Sequence, residues 1–233
     1  YGIPVKHLFI THCHGDHVFG MAPFKDVEVF GSQELVANMK NRMEERWTEE
    51  AFSKWREEEP EHADSIDKIE VWLPEKGFNN KHTITDESLT VEFYHSGGHT
   101  SCSSYAYFPL ERVLVTGDDL AAFNWPYIFD STGNPDKWII AFEEMLKLNP
   151  VKVVPGHGPI VGKEHVLEHL KYLKGLKALV MKVITEGKAP ADIQTPEFYK
   201  PAEEWQIQEA MKHLYSYYSE MSNSQSGSRE LDE

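Results

Sequence analysis

Between Thr11 and Val18 the chain reads THCHGDHV, which places His12, His14, Asp16 and His17 within six residues. On an extended backbone, side chains two apart point the same way. His12 and His14 can therefore grip one ion together, with Asp16 projecting to the same side, and the turn at Gly15 lets His17 swing into a neighbouring position. Imidazole nitrogen and carboxylate oxygen suit zinc, iron or manganese. Packing four ionisable groups this densely without a cation is costly, so the cluster reads as a metal site rather than as structural histidines. Three further candidates sit in short turn-rich segments: His99 in GGHTS, Asp118 in TGDD and His157 in PGHG. Glycines and tight turns there allow a side chain to be aimed outside a sheet. Alone, each is weak, and Asp118 is equally consistent with a cap or turn. Their order after HCHGDH adds weight. Cys13 should point away from its neighbours by the same alternation and reads as packing, and Asp119 as a supporting or capping group. His7, His62, His82, His95, His165, His169 and His213 have no motif context.

The elements that must position these residues are legible in outline. VKHLFIT (5–11) is a short buried strand leading into the HCHGDH cluster, with a helix beginning near Asp16 or His17 and a second strand at VEVF (27–30). That strand–loop–helix–strand order is of parallel type. Residues 33–68 have helical spacing and no strand signal. From Glu34 to Glu70 they hold 12 acids against 6 bases, with Trp47, Phe52 and Trp55 interleaved. This helical insertion is either a solvated hairpin whose aromatics pack on the body or a lid over the site. Strands are expected at IEVWL (69–73), LTVEFYH (89–95), SSYAYF (103–108), RVLVTG (112–117) and VKVVPGHG (151–158). Amphipathic helices are expected at 136–149, from Lys163 to about Gly187, and at about 202–221. Residues 1–221 thus form one domain, including C-terminal helices within 163–221, and the apolar-poor 222–233 is expected to be a disordered tail.

The 233 residues are 40% hydrophobic and 26% charged, ordinary for a globular domain of this size. The formal charge, 23 minus 38, is −15, which disfavours a nucleic-acid partner. No apolar run approaches the roughly 18 residues of a membrane span, and YGIPVKHLFITH is not a signal peptide. Two cysteines without a CxxC pair favour a reducing, cytoplasmic setting. A small-molecule substrate is the expected partner, with homo-oligomerisation open.

Taken in order, THCHGDH, GGHTS, TGDD and PGHG resemble the successive metal-binding motifs of the metallo-β-lactamase superfamily, and the resemblance runs from about Val5 to Gly158. The most specific of them is HxHxDH. The resemblance implies an α/β fold, a four-layer αββα sandwich. It also implies two divalent metal ions, zinc foremost with iron or manganese as alternatives. His12, His14 and His99 would bind the first ion, Asp16, His17 and His157 the second, and Asp118 would bridge them. Asp16 would be catalytic, orienting a metal-bridging hydroxide and relaying its proton. Phe123, Asn124, Trp125 and Tyr127 stand where the family's loops border the active-site mouth and would contact substrate, although local packing explains them equally well. A small ester, thioester or lactone is the expected substrate. The alternatives are a mononuclear-iron sulfur dioxygenase of the same fold and a non-catalytic binding protein. Asp118 stands where several β-lactamases carry Cys or Ser, which disfavours antibiotic hydrolysis, and the Gly-Pro after His157 departs from glyoxalase II. The superfamily's N-terminal strands have no counterpart in the eleven residues before His12, and there is no initiator Met. The expectation is therefore an N-terminally incomplete sheet, with one edge or face unprotected unless another chain supplies the strands.

Overall fold

A computed structural model describes residues 2–86, 89–199 and 203–227, with side chains described as far as residue 222. Strand β1 (His7–Phe9) runs into the one-turn helix α1 (Gly15–Val18), and β2 (Glu28–Ser32) pairs beside β1 in parallel. Ser32 ends β2 and caps α2 (Gln33–Glu45) by accepting from Leu35 N–H. Helices α3 (Glu49–Glu58) and α4 (Ala63–Ile66) follow, and Thr48 caps α3 in the same way. Strand β3 (Lys76–Phe78) then pairs in parallel with β2 and completes a three-stranded sheet in the order β1-β2-β3.

The second sheet has five strands in sequence order: β4 (Lys81–Asp86), β5 (Leu89–His95), β6 (Ser104–Phe108), β7 (Val113–Ala121) and β8 (Lys152–His157). Its first three pairings are antiparallel. Helix α5 (Pro135–Lys147) carries the chain over to β8, so β7 and β8 are parallel. Helices α6 (Lys163–Thr185) and α7 (Glu204–Gly227) follow.

Three apolar clusters stack these parts into four layers. Leu35 and Met39 of α2 meet Ile10, Val18 and Val29 on the outer face of the small sheet. Phe30, Phe78, Val91, Phe93 and Ala106 fill the space between the sheets, joined by the partly buried Phe9. Tyr105, Tyr107 and Leu114 on the far face of the large sheet receive Trp138, Phe142 and Met145 of α5, Leu173 and Leu176 of α6, and Met211 and Leu214 of α7. This is the expected αββα arrangement. At the β1 end the inter-sheet space opens into an apolar cavity of about 490 Å³ lined by Ile3, Phe9, Phe93 and Phe108 among others. Among the described residues β1 pairs on one side only.

The structure corrects three sequence readings. IEVWL forms no strand. Val71, Trp72 and Leu73 pack on the small-sheet cluster instead, because the segment crosses over the sheet face, and ladder pairing begins only at Lys76. Strand β4 has no counterpart in the sequence reading. It is a largely exposed edge strand, KHTITD, whose one partly buried apolar residue, Ile84, leaves little alternation to read. Helix α7 continues through residues 222–227, where a disordered tail is expected from composition, and residues 228–233 lie outside the described residues. No helix among the described residues is long and apolar enough to cross a membrane.

Phe142 is fully buried at the centre of the large cluster, whereas Ile140 is 55% exposed on the same helix. Phe142→Ala should lower unfolding free energy by about 3–5 kcal/mol, and Ile140→Ala by no more than about 0.5 kcal/mol, both measured by urea denaturation.

Candidate metal centre

The histidine and aspartate candidates come from separate segments that meet at one end of the two sheets. The chain leaves β1 with Thr11 C=O accepting from Ser104 N–H (2.9 Å), which ties this end to the start of β6. His99 stands in the β5–β6 connection. That turn is held by Asn134 N–H donating to Gly98 C=O (2.8 Å) and by His99 N–H donating to Asp119 Oδ1 (3.2 Å). Trp138 supports it from α5, donating Nε1–H to Asp119 C=O (2.9 Å). Asp118 lies within β7 and His157 ends the adjacent β8. The two strands approach closely here, and a Cβ on Gly156 would lie 1.9 Å from Asp118 Oδ1. Only glycine leaves room for that carboxylate.

Ligand-capable atoms of His12, His14, His99 and Asp118 all lie within 4.8 Å of one another, and a second such group joins Asp16, His17, Asp118 and His157. Asp118 belongs to both. In the first group His14 Nδ1 is 3.2 Å from both His12 Nε2 and His99 Nε2, and Asp118 Oδ2 is 3.6 Å from His12 Nε2. In the second, Asp16 Oδ2 is 3.2 Å from His17 Nε2 and 3.1 Å from His157 Nε2, while the two histidine Nε2 atoms are 3.3 Å apart. Asp118 reaches both nitrogens, with Oδ1 3.1 Å from His17 and Oδ2 3.3 Å from His157.

The outward ring nitrogens decide what these contacts mean. His14 Nε2 faces Asp130 Oδ2 at 2.9 Å and His99 Nδ1 faces Tyr127 C=O at 3.0 Å. Both oxygens are acceptors only, so each ring donates outward and turns its other nitrogen inward. His14 Nδ1 and His99 Nε2 then face each other at 3.2 Å. His12 Nδ1 meets Thr11 Oγ1 at 3.1 Å, and its Nε2 points to the same centre. Asp118 Oδ1 is buried and, despite its 3.1 Å approach to His17, lacks hydrogen-bond alignment. Inner nitrogens and carboxylate oxygens converging on a common point, with the outer nitrogens held, fit a cation.

The electrostatics differ between the two groups. Burial, reinforced by the neighbouring histidines, pushes His12 well below its ordinary pKa, and burial lowers His99 to about 4. Both therefore offer unprotonated nitrogen at neutral pH. Burial would also lower His17, but the carboxylates of Asp118 and Asp16 outweigh it and raise the ring to about 9. Contact with His17 in turn holds Asp16 at about 2. Burial raises Asp119 to about 6.

Asp130, Thr11 and the Tyr127 carbonyl do not stand out in the sequence. Asp130 also accepts from Thr132 N–H (2.8 Å) and lies 3.7 Å from Arg42 of α2. Although burial opposes its charge, the hydrogen bonds from His14 and Thr132 hold its carboxyl well below the usual range. Locally, DST reads as an ordinary turn, and nothing in it signals a partner 116 positions away. Cys13 is fully buried with Ile10, Val18 and Cys102, turned from the cluster as alternation requires.

The donor groups open into a cavity of about 450 Å³ lined by His14, Asp16, Asp118, Asn124, Trp125, Tyr127 and His157. Of the residues expected to contact substrate, Tyr127 is exposed. Trp125 is mostly buried, donating Nε1–H to Tyr172 Oη (2.7 Å), and Asn124 donates to Ala122 C=O. Phe123 turns away to meet His165 and Tyr199 in edge-to-face contacts. Trp47, Phe52 and Trp55 of the helical insertion gather around Phe19, just beyond α1, at 5.4–6.1 Å. No residue of 33–68 is among those lining the cavity.

Residues 2–157 match the family model of the Metallo-beta-lactamase superfamily. "Beta-lactamase-like protein 2 homolog" of Caenorhabditis elegans is 21% identical over 184 residues, which are 78% of this chain and 52% of that protein, so the chain spans about half the length of this relative. Among solved structures, "Metallo-beta-lactamase from Pontibacter korlensis" aligns with a TM-score of 0.53 at 20% identity, over 73% of this chain and 70% of the other. A double mutant of the sec-alkyl sulfatase PisA1 aligns with a TM-score of 0.66 at 13% identity, over 92% of this chain and 41% of the other. At these identities the likeness is one of fold.

Asp130→Asn keeps the shape but weakens the outward hold on His14, and should reduce metal affinity by about 10–100-fold. Gly156→Ala should cost more, because it displaces the carboxylate common to both groups. Competition with a chromophoric chelator measures both.

Proposed function

This chain belongs to the metallo-β-lactamase superfamily, and on that premise we propose that it is a metal-dependent hydrolase of a small ester, thioester or lactone. One observation carries the reading: two donor groups share Asp118 on the floor of an open cavity with Trp125 and Tyr127 in its wall. In this reading His12, His14 and His99 hold one divalent ion, Asp16, His17 and His157 hold a second, and Asp118 serves both. The nitrogen-rich donor set suits zinc. Ions bound there supply Lewis acidity toward a carbonyl and make hydroxide available near neutral pH.

The remaining work falls to the chain. Asp16 is held ionised by His17 and lines the cavity half exposed, so it is placed to orient an attacking water by accepting its hydrogen bond. Asp130, Thr11 and the Tyr127 carbonyl hold the outer nitrogens of the three imidazoles and so fix the ring orientations. Asn124 and Tyr127 flank the space where a substrate would lie. A carbonyl compound is favoured over a nucleic acid by the charge of −15. The sulfatase named among the structural neighbours makes alkyl sulfate esters a natural addition to the substrate panel.

Protein purified without chelators or added metals should carry about two zinc ions per chain by elemental analysis. It should cleave one class in a panel of esters, thioesters, lactones and sulfate esters, and lose that activity in Asp118→Ala. About one iron per chain with oxygen consumption on a persulfide would replace the hydrolase with an oxygenase.

A further inference from the structure

An aromatic surface leads out of the cavity. Tyr127 stands in the cavity wall, its ring 5.9 Å from that of His14 and 5.7 Å from that of His99. Phe129 follows at 3.7 Å from the Tyr127 ring, and Trp205, from the first turn of α7, lies 5.5 Å beyond Phe129. Tyr127 and Phe129 are two apart in an irregular extended segment and share a side, while Ile128 between them is buried in the core. Tyr127 is 41% exposed and Trp205 52%. Helix α7 is anchored by Ala210, Met211, Leu214 and Tyr218, so its packing does not account for an indole left at the surface. Exposed apolar surface that is continuous and borders a cavity marks a binding region.

We propose that Tyr127, Phe129 and Trp205 form a subsite for the apolar acyl or alkyl arm of the substrate, with Trp205 setting the preference for longer arms. The inference rests on the hydrolase reading and names the substrate class within it. Three features select this occupant. The surface begins at Tyr127, which lines the cavity together with the donor residues, so whatever lies on it extends from that cavity. It is registered to that centre by a hydrogen bond, since the Tyr127 carbonyl holds His99 Nδ1 at 3.0 Å. Its successive rings are tilted by 41° and 66°, a bent path that a flexible chain follows better than a flat ring. The three rings themselves are uncharged. The Trp205 Nε1–H is already engaged by Glu203 (2.6 Å), which leaves the indole faces for apolar contact.

The test compares wild type, Trp205→Ala and Trp205→Leu, all metal-loaded, with unchanged circular dichroism confirming the fold. Two readouts are used: kcat/KM on p-nitrophenyl acetate, butanoate and octanoate, and calorimetric binding of acetate and octanoate. The wild type should prefer octanoate in both. Trp205→Ala should lower octanoate kcat/KM and octanoate affinity by about tenfold and leave the acetate values unchanged, with Trp205→Leu recovering most of the loss. Hydrolysis with the same chain-length profile in wild type and Trp205→Ala would overturn the subsite and leave the hydrolase reading intact. Octanoate binding that depends on Trp205, with no ester, thioester or lactone cleaved, would support the subsite while removing the hydrolase.

Discussion

The inward nitrogens of His14 and His99 stand 3.2 Å apart, and this crowding is the constraint on which the rest of this structure depends. Around them lie a buried His12, a carboxylate oxygen without an aligned donor, and a second cluster sharing that carboxylate, and lone pairs crowded this closely repel. In a low-dielectric setting, unpaired acceptors are unfavourable unless something positive sits among them. The outward hydrogen bonds make the arrangement directional. Because Asp130 and the Tyr127 carbonyl accept from the outer nitrogens, neither ring can relieve the repulsion by changing tautomer.

Much of the architecture is explained by the need to hold these groups against that repulsion. The donors come from the ends of β1 and β8, from β7 and from the β5–β6 turn, so both sheets contribute. The sheets are tied together at this end by the Thr11–Ser104 hydrogen bond and stacked below it on Phe9, Phe30 and Phe93. Helix α5 supports the His99 turn through Trp138 and Asn134. Backbone proximity does the rest at Gly156, where β8 passes so close to Asp118 that a side chain has no place. Rigid scaffolding of this kind keeps ligand atoms near one another when mutual attraction does not.

Around this centre the chain differs in how much it resembles known proteins. The four layers belong to the superfamily, while likeness to solved structures stays at or below 20% identity in the relatives described. One scaffold can host many chemistries, so substrate preference must come from what surrounds the donors. In this chain the loop after β7 supplies those surroundings, with Asn124, Trp125 and Tyr127 lining the cavity. The helical insertion instead packs its aromatics on Phe19, bracing α1, which carries Asp16 and His17.

Reading the chain as a string was enough to reach the seven donor candidates, because metal ligands cluster locally in type and spacing: HCHGDH is contiguous, and GGHTS, TGDD and PGHG each interrupt a strand pattern with glycine. Strands β1, β5, β6, β7 and β8 and the long helices were also legible, since one-sided burial imposes a period on most of them. The exposed edge strand β4 left no such period, and IEVWL carried one without joining a ladder, because burial of side chains and pairing of backbone are separate demands. What only the tertiary structure decided is relational. That His14 turns its Nδ1 inward depends on Asp130, which a turn like many others places 116 positions away. That Phe123 leaves the cavity while Tyr127 lines it, and that Trp205 extends the surface beyond Phe129, depends on where α6 and α7 come to rest. Local spacing records which atoms can bind. Which atoms meet, and which nitrogen each ring presents, is set by contacts between segments that the order of residues does not bring together.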